Sequence, residues 1–224
     1  MKTPPLSFEQ IRGNIRIPQN KRSISITDDE AAALYNFLIS HNWKGKRTVE
    51  IGFAYGYSAA IIAGTTGALH TVIDPFQKKY GNMGIRNMKA LGLWKNTTLI
   101  AGYSHWALPL LLKKKRVFDF AFIDGGHLFD GIFLDFYYLE KLLSPGGFLL
   151  FHDASLPQTR MVLGWIASNR PDFRFLQVSQ PNLCIVQRIS NDKRPWWDYH
   201  HFNLYGLSRF NKLKQLIRRI IGKI

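Results

Sequence analysis

From residue 48 onward, short runs rich in β-branched and aromatic residues alternate with stretches of helical period. The runs are Thr48–Gly52, His70–Asp74, Thr97–Ala101, Phe118–Asp124, Phe148–His152, Phe173–Val178 and Leu183–Arg188. Between them the spacing predicts helices over Tyr57–Gly67, Ile85–Leu91, His105–Lys114, Leu128–Leu143 and Gln158–Asn169. Apolar strands separated by helices are the pattern of a mostly parallel sheet covered on both faces, an α/β class. The last two strands flank a short turn containing Gln180-Pro-Asn182, so they are expected to form an antiparallel hairpin at one edge of a seven-stranded sheet. Upstream, Asp28–Asn42 reads as a helix whose acidic first turn suits the helix dipole, and residues 1–27 read as an irregular arm.

A chain of 224 residues can bury one substantial core, and its 46% hydrophobic and 20% charged residues exclude disordered and coiled-coil classes. The organisation expected is an N-terminal arm and helix over residues 1–45, a core over 46–188 and a tail over 189–224. The single cysteine, Cys184, excludes an internal disulfide framework and a Cys-rich zinc site, and reads as a small core residue. The opening MKTPPLSFEQ has no signal-peptide core, and no uninterrupted apolar stretch reaches the roughly 18 residues of a spanning helix. A cytoplasmic location is expected, with room for peripheral attachment at an inner membrane surface.

The formal charge is +15, and its distribution is uneven. Residues 1–47 carry 8 basic and 4 acidic side chains, residues 48–188 carry 14 and 9, and residues 189–224 carry 8 and 2. The excess concentrates in the tail, which ends LSRFNKLKQLIRRIIGKI. On a helix, Phe210, Leu213, Ile217, Ile220, Ile221 and Ile224 would share one face, with Lys212, Arg219 and Lys223 opposite. Such a basic amphipathic helix fits an anionic membrane surface, or packing on its own domain or on a second subunit in a homo-oligomer; nucleic acid is the least favoured partner.

In an open parallel sheet, ligands bind beyond the carboxyl ends of the strands. The residues standing there are Glu50-Ile-Gly52-Phe-Ala54-Tyr-Gly56-Tyr-Ser58, Asp74-Pro75, Gly102-Tyr-Ser104, Asp124-Gly-Gly-His127 and His152-Asp153. The first is a glycine-bearing turn that lets backbone approach a ligand and leaves helix N-terminal amides free. Its G-x-x-x-G spacing lacks the G-x-G-x-x-G of pyrophosphate binding, so a cofactor without a pyrophosphate fits better. A nicotinamide reductase is excluded on the same ground, and by the lack of a Tyr-x-x-x-Lys pair. Glu50 lies in an apolar strand and calls for hydrogen bonds from a ligand or nearby amides. Asp74 lies 22 residues beyond Gly52, about the offset at which a carboxylate meets a ribose hydroxyl pair.

The runs V-E-I-G-x-x-x-G-x-S, I-D-P-F, F-I-D-G-x-H and L-L-x-P-G-G-F-L-L-F-H-D resemble those of class I S-adenosylmethionine-dependent methyltransferases, over about residues 46–188. More narrowly, the chain resembles the small bacterial family with a typical I-D-G-x-H, related to catechol-type and macrolide-sugar O-methyltransferases. The resemblance implies a Rossmann-like methyltransferase fold with S-adenosyl-L-methionine as cofactor. It implies that Gly52, Ala54 and Gly56, followed by Ser58, wrap the methionine part, with Glu50 supporting the loop. Asp74 would hold the ribose hydroxyls, Phe76 and Gly102–Ser104 would lie near the adenine, and Asp124 near the methionine amino group.

Methyl transfer from a sulfonium is an in-line displacement, so such a protein aligns its acceptor and removes a proton when the acceptor is a hydroxyl. His127 and His152, the latter beside Asp153, are the candidate bases. Alternation along the strand end predicts that His152 and Asp153 face opposite ways. Catechol-type relatives hold Mg2+ with a carboxylate and an Asp-Asn pair; Asp124 and Asp153 match, but Ala154 stands where the Asn belongs. The acceptor implied is a small molecule, a glycan or a lipid-linked sugar. The rival readings are an RNA or protein methyltransferase, against which no N/D-P-P-Y/F motif is present, and a non-catalytic binding protein on the same fold. Trp94, Trp106 and Trp165 read as packing residues and Lys113–Arg116 as a solvated helix end, whereas Trp196 and Trp197 would cover the site's mouth or meet a membrane interface.

Overall fold

The computed structural model describes residues 5–43 and 45–206. Among these residues seven α-helices and seven strands follow one another: α1 Phe8–Asn14, α2 Asp28–Ile39, β1 Arg47–Ile51, α3 Tyr57–Thr66, β2 Leu69–Ile73, α4 Met83–Ala90, β3 Thr97–Ile100, α5 Ser104–Lys113, β4 Phe118–Ile123, α6 Phe129–Leu142, β5 Leu143–Phe151, α7 Pro157–Asn169, β6 Phe173–Leu176 and β7 Cys184–Arg188. The strand order is β3-β2-β1-β4-β5-β7-β6. β1 to β5 are parallel, and β7 runs antiparallel between β5 and β6, giving the expected edge hairpin.

Both faces are covered because both faces of the central strands are apolar. Val49, Ala121, Leu149 and Phe151 point into one core with α5, α6 and α7. Val72, Phe120, Phe122 and Leu150 point into the other, with α1 to α4. Cys184 is buried at the edge, as expected, and burial pushes its thiol up to about 12.

Residues 5–27 are not an irregular arm. Ser7 and Gln10 form a reciprocal capping box that starts α1, and Gln19–Ile24 form a 3-10 helix. The signal was a four-residue pattern ahead of a seven-residue helix, too short for its period to show. Ile11 is buried against Gly64 of α3, and Leu6 N–H donates to the Gly64 carbonyl at 3.0 Å. Asp28, at the start of α2, accepts from Arg12, Arg22 and the Tyr57 hydroxyl at 2.6–3.0 Å, which pins the arm beside α3.

Residues 195–206 return along α7. A Cβ on Gly164 would lie 1.9 Å from the Asn203 carbonyl oxygen, so glycine is required for that approach. Trp196 and Trp197 are exposed and pack edge-on against each other; they do not line the site's mouth. Trp165 packs on Phe133 and Trp94 lies over Phe53, whereas Trp106 is 63% exposed and is not the packing residue expected. The amphipathic pattern of residues 207–224 lies outside the described residues. Among those described, no helix is long and apolar enough to cross a membrane.

At the end of the sheet opposite the glycine turn, buried Arg170 donates to Asp172 and Glu140 at 2.6–2.8 Å between the rings of Phe136 and Phe173. Removing the guanidinium leaves buried carboxylates short of a partner. Arg170→Ala should therefore cost about 3–5 kcal/mol in urea unfolding, with Arg170→Lys intermediate because an ammonium lacks the bidentate fork.

Candidate functional site

All five parallel strands end on one side, and the residues that follow them line one cavity of about 480 Å³. Gly52, Ala54, Ser58, Asp74, Phe76, Ser104, Asp124, His127, His152 and Asp153 all lie in its wall, as anticipated. Glu50, Gly56 and Gly102 are not among its lining residues. The arm closes one flank with Ser23–Ile26.

The turn after β1 is held by Asp74. One carboxylate oxygen accepts from Phe53 N–H at 2.9 Å and Ala54 N–H at 2.8 Å, and the other accepts from Phe76 N–H at 2.5 Å. Ala54 sits at φ +40°, a conformation unfavourable for a residue with a Cβ, and Gln77 donates to its carbonyl at 2.7 Å. Gly52 has φ +89°, and a Cβ there would fall 2.0 Å from the Asp124 carbonyl oxygen. Only glycine lets the turn pass so close to the end of β4.

Glu50 is fully buried, but its partners are neither amides nor the cavity. The Ser58 hydroxyl donates to one oxygen, and His70 Nε2 lies 3.1 Å from the other, with Thr48 on the far ring nitrogen at 2.8 Å. Burial raises the Glu50 carboxyl well above its usual range and lowers His70 to about 3. The pair therefore carries less charge than its residue types suggest. Ser58, expected at the cofactor, spends its hydroxyl on Glu50.

The polar end of the cavity lies between β4 and β5. His152 Nδ1 is 3.0 Å from Asp124 Oδ1 and 3.3 Å from Asp153 Oδ2, and its Nε2 is 3.3 Å from Glu30 Oε2. The Nδ1 approaches are ion-pair contacts off the line of a hydrogen bond, leaving that nitrogen without one. Burial opposes the imidazolium, but the three surrounding carboxylates outweigh it and push His152 up to about 12. Such a ring is held protonated and is a poor base. His152 and Asp153 share the cavity instead of facing apart, because Asp153 at φ +52° turns its carboxylate back.

His127 Nε2 lies 2.9 Å from Asp153 Oδ2, and its side chain is half exposed. That carboxylate raises the His127 pKa, and the two imidazoles together hold Asp153 far below the usual carboxylate range. Burial instead raises Asp124. Asp124, His152 and Asp153 each present one ligand atom, all within 4.8 Å of one another. Once His152 gives up its Nδ1 proton, this donor set fits a divalent cation, although an imidazole among two carboxylates suits a borderline ion better than Mg2+.

Four polar residues of the site were not singled out in the sequence. Glu30 reaches in from α2, where it also completes a capping box with Thr27. Asn182 donates to Glu30 at 2.8 Å and to Asp153 at 3.3 Å, placing an amide from the hairpin turn beside the position where Ala154 offers none. His70 interrupts an apolar strand. Asp135 interrupts the buried face of α6 between Ile132, Phe136 and Leu139, the clearest signal available. It is 3% exposed, and burial pushes it up to about 7 although the Ser104 side chain works the other way.

Residues 49–154 match the family model of a methyltransferase domain. The fold agrees with solved structures: an O-methyltransferase from Bacillus cereus in complex with S-adenosylhomocysteine (18% identity, 80% of this chain and 90% of that one, TM-score 0.64). The O-methyltransferase TomG from Streptomyces achromogenes, involved in tomaymycin synthesis and complexed with S-adenosylmethionine, is similar at 16% identity over 83% and 92%, TM-score 0.65. A methyltransferase of Podospora anserina bound to S-adenosylhomocysteine shares 20% identity over 81% and 85%, TM-score 0.62. No curated protein sequence matches the chain. The seven-stranded fold is thus that of these methyltransferases, and the matched segment runs from β1 to just past β5.

Because the folded Asp135 value lies above its ordinary one, the native state favours the neutral carboxyl. Its contribution is present at low pH and lost as pH rises through about 7. Asp135→Asn should remove that loss, which amounts to a few kcal/mol at about 1.4 kcal/mol per pH unit. Thermal melts of both proteins at pH 5 and pH 8 should show the variant gaining on the wild type at the higher pH.

Proposed function

We propose that this chain transfers the methyl group of S-adenosylmethionine to an oxygen of a small molecule, a class that includes glycans and lipid-linked sugars. The observation that carries this reading is one cavity that joins a glycine turn clamped by Asp74 to a His127–Asp153 pair beyond β4 and β5. The O-methyltransferases of similar fold from Bacillus cereus and Streptomyces achromogenes support the oxygen acceptor.

In this reading the Gly52–Ala54 turn receives the methionine part, with Asp124 at its amino group. Asp74 receives the ribose. A carboxylate has about four acceptor positions, and three backbone amides use three of them here, which leaves one for a ribose hydroxyl. Phe76 and Tyr103, edge to face at 5.9 Å, flank the base together with Ser104. The acceptor enters beside the arm, at Ser23–Ile26.

His127 is the base. Its Nε2–H donates to Asp153, which orients the ring and leaves Nδ1 to take the acceptor's hydroxyl proton. His152 stays protonated and balances Glu30, Asp124 and Asp153. Where a divalent cation displaces that proton, Asp124, Asp153 and the freed Nδ1 of His152 would hold the metal, and it would lower the pKa of the acceptor hydroxyl.

Incubation with methyl-labelled S-adenosylmethionine and separate small-molecule, RNA and protein fractions tests this. Label should enter base-stable small-molecule products; label confined to RNA or protein contradicts the reading. His127→Ala should slow transfer by roughly 10²–10⁴-fold while leaving S-adenosylhomocysteine affinity unchanged, since the base touches the acceptor and not the cofactor.

A further inference from the structure

The mouth of the cavity is rimmed with apolar side chains that the fold leaves in solvent. Ile24 of the arm, Phe76 and Tyr103 line the opening and are exposed. Trp106, 63% exposed, packs edge-on against Tyr103 at 5.4 Å. Leu128, 73% exposed, and Phe129 follow directly on His127 of the wall. Single exposed apolar residues are ordinary, but these six come from the arm, the turn after β2 and the starts of α5 and α6, and stand around one opening. Packing does not account for them: Trp106 and Leu128 belong to neither apolar core.

Cations stand beside this rim. Lys21 precedes Ile24 in the same 3-10 helix, and Lys78 and Lys79 follow Phe76, with Lys79 Nζ 5.7 Å from the centre of the Phe76 ring. All three lysines are exposed; Asp29 and Asp130 are the exposed carboxylates nearest to the rim in sequence. The chain also returns to this side. α7 starts four residues past Asp153 of the cavity, Tyr205 N–H donates to the Arg160 carbonyl in its first turn at 3.0 Å, and a Cβ on Gly206 would lie 3.5 Å from Arg160 Nη2. The segment 207–224, outside the described residues, therefore begins on the mouth side, and it carries six cations and no acid. An apolar rim flanked by lysines, with a polybasic segment leaving beside it, complements an anionic lipid surface: rings and aliphatic side chains enter the headgroup region while the cations meet lipid phosphates. We infer that the mouth of this cavity docks on an anionic membrane surface, presenting the site to a substrate held there. The docking is independent of the methyl-transfer reading; only the choice of a lipid-borne acceptor rests on that reading.

Co-sedimentation of the full chain with phosphatidylcholine vesicles, with and without a phosphatidylglycerol fraction of about one third, tests the docking with no cofactor present. The wild type should bind the anionic vesicles at least about tenfold more tightly than the neutral ones, and lose that margin at high salt. Trp106→Ser combined with Leu128→Ser should weaken binding by about tenfold or more, because two large apolar side chains no longer enter the interface, with the melting temperature unchanged. Lys78→Gln with Lys79→Gln should weaken binding to the anionic vesicles only. Trp196→Ser provides the contrast. Trp196 is 90% exposed, but it precedes the His200 contact with Asn169 at the opposite end of α7, so this variant should bind as the wild type does. A wild type that ignores anionic vesicles, double variants that bind them as tightly as the wild type, or loss of binding in Trp196→Ser alone overturns the inference. A wild type that sediments as a dimer without binding vesicles, and as a monomer once Trp106 and Leu128 are replaced, also overturns it, because a second copy then covers the rim. Since no cofactor is present, each of these failures leaves the proposed methyl transfer standing.

Discussion

The carboxylate of Asp74, accepting three backbone N–H groups, ties the end of β2 to the turn that leaves β1. That turn cannot hold itself. Ala54 sits in left-handed backbone, and Gly52 passes so near Asp124 that no side chain fits. A strained turn persists only where its surroundings over-determine it, and here a buried anion supplies the determination. From the turn follow the start of α3 at Gly56, the direction of the Phe53 and Ala54 amides, and the shape of the cavity floor.

Electrostatics divide the cavity into two ends. Glu50 and His70 lie beneath the floor, where burial works against the charge of both, so they add little field to the cavity. Between β4 and β5, Glu30, Asp124 and Asp153 surround His152 and keep it cationic. The same Asp153 contacts His127, whose half-exposed ring lines the same cavity as Ser23–Ile26 of the arm. One carboxylate thereby serves two imidazoles in different states: one fixed as a cation, one able to exchange its proton. Ser104 lies at the other, aromatic end, beside Phe76, Tyr80 and Tyr103.

Much of this was legible in the sequence because parallel sheets bring strand ends together regardless of loop detail. The strands, the helices between them and the edge hairpin follow from period and punctuation, and ten of the anticipated site residues line the cavity. What was not legible depends on contacts between distant segments. Glu30 looked like a helix-start residue, and its capping role is real, but only the packing of α2 beside β5 brings the same Oε2 to His152 and the other oxygen to Asn182. Asn182 reaches Asp153 across the hairpin turn. The expectation that His152 and Asp153 diverge assumed extended backbone, which Asp153 leaves at φ +52°. Ser58 and Glu50 satisfy each other, a pairing eight residues apart that a motif places side by side without saying which partner each takes.

The central claim is that this cavity holds S-adenosylmethionine with its ribose at Asp74. Calorimetric titration of the chain with S-adenosylhomocysteine, on the wild type and on Asp74→Ala, measures it most directly. One site per chain in the wild type, weakened by about 10–100-fold in a variant that still melts cooperatively, is the predicted result, in line with the loss of a charged hydrogen-bond partner. No binding by the wild type, or binding that Asp74→Ala leaves unchanged, would contradict it.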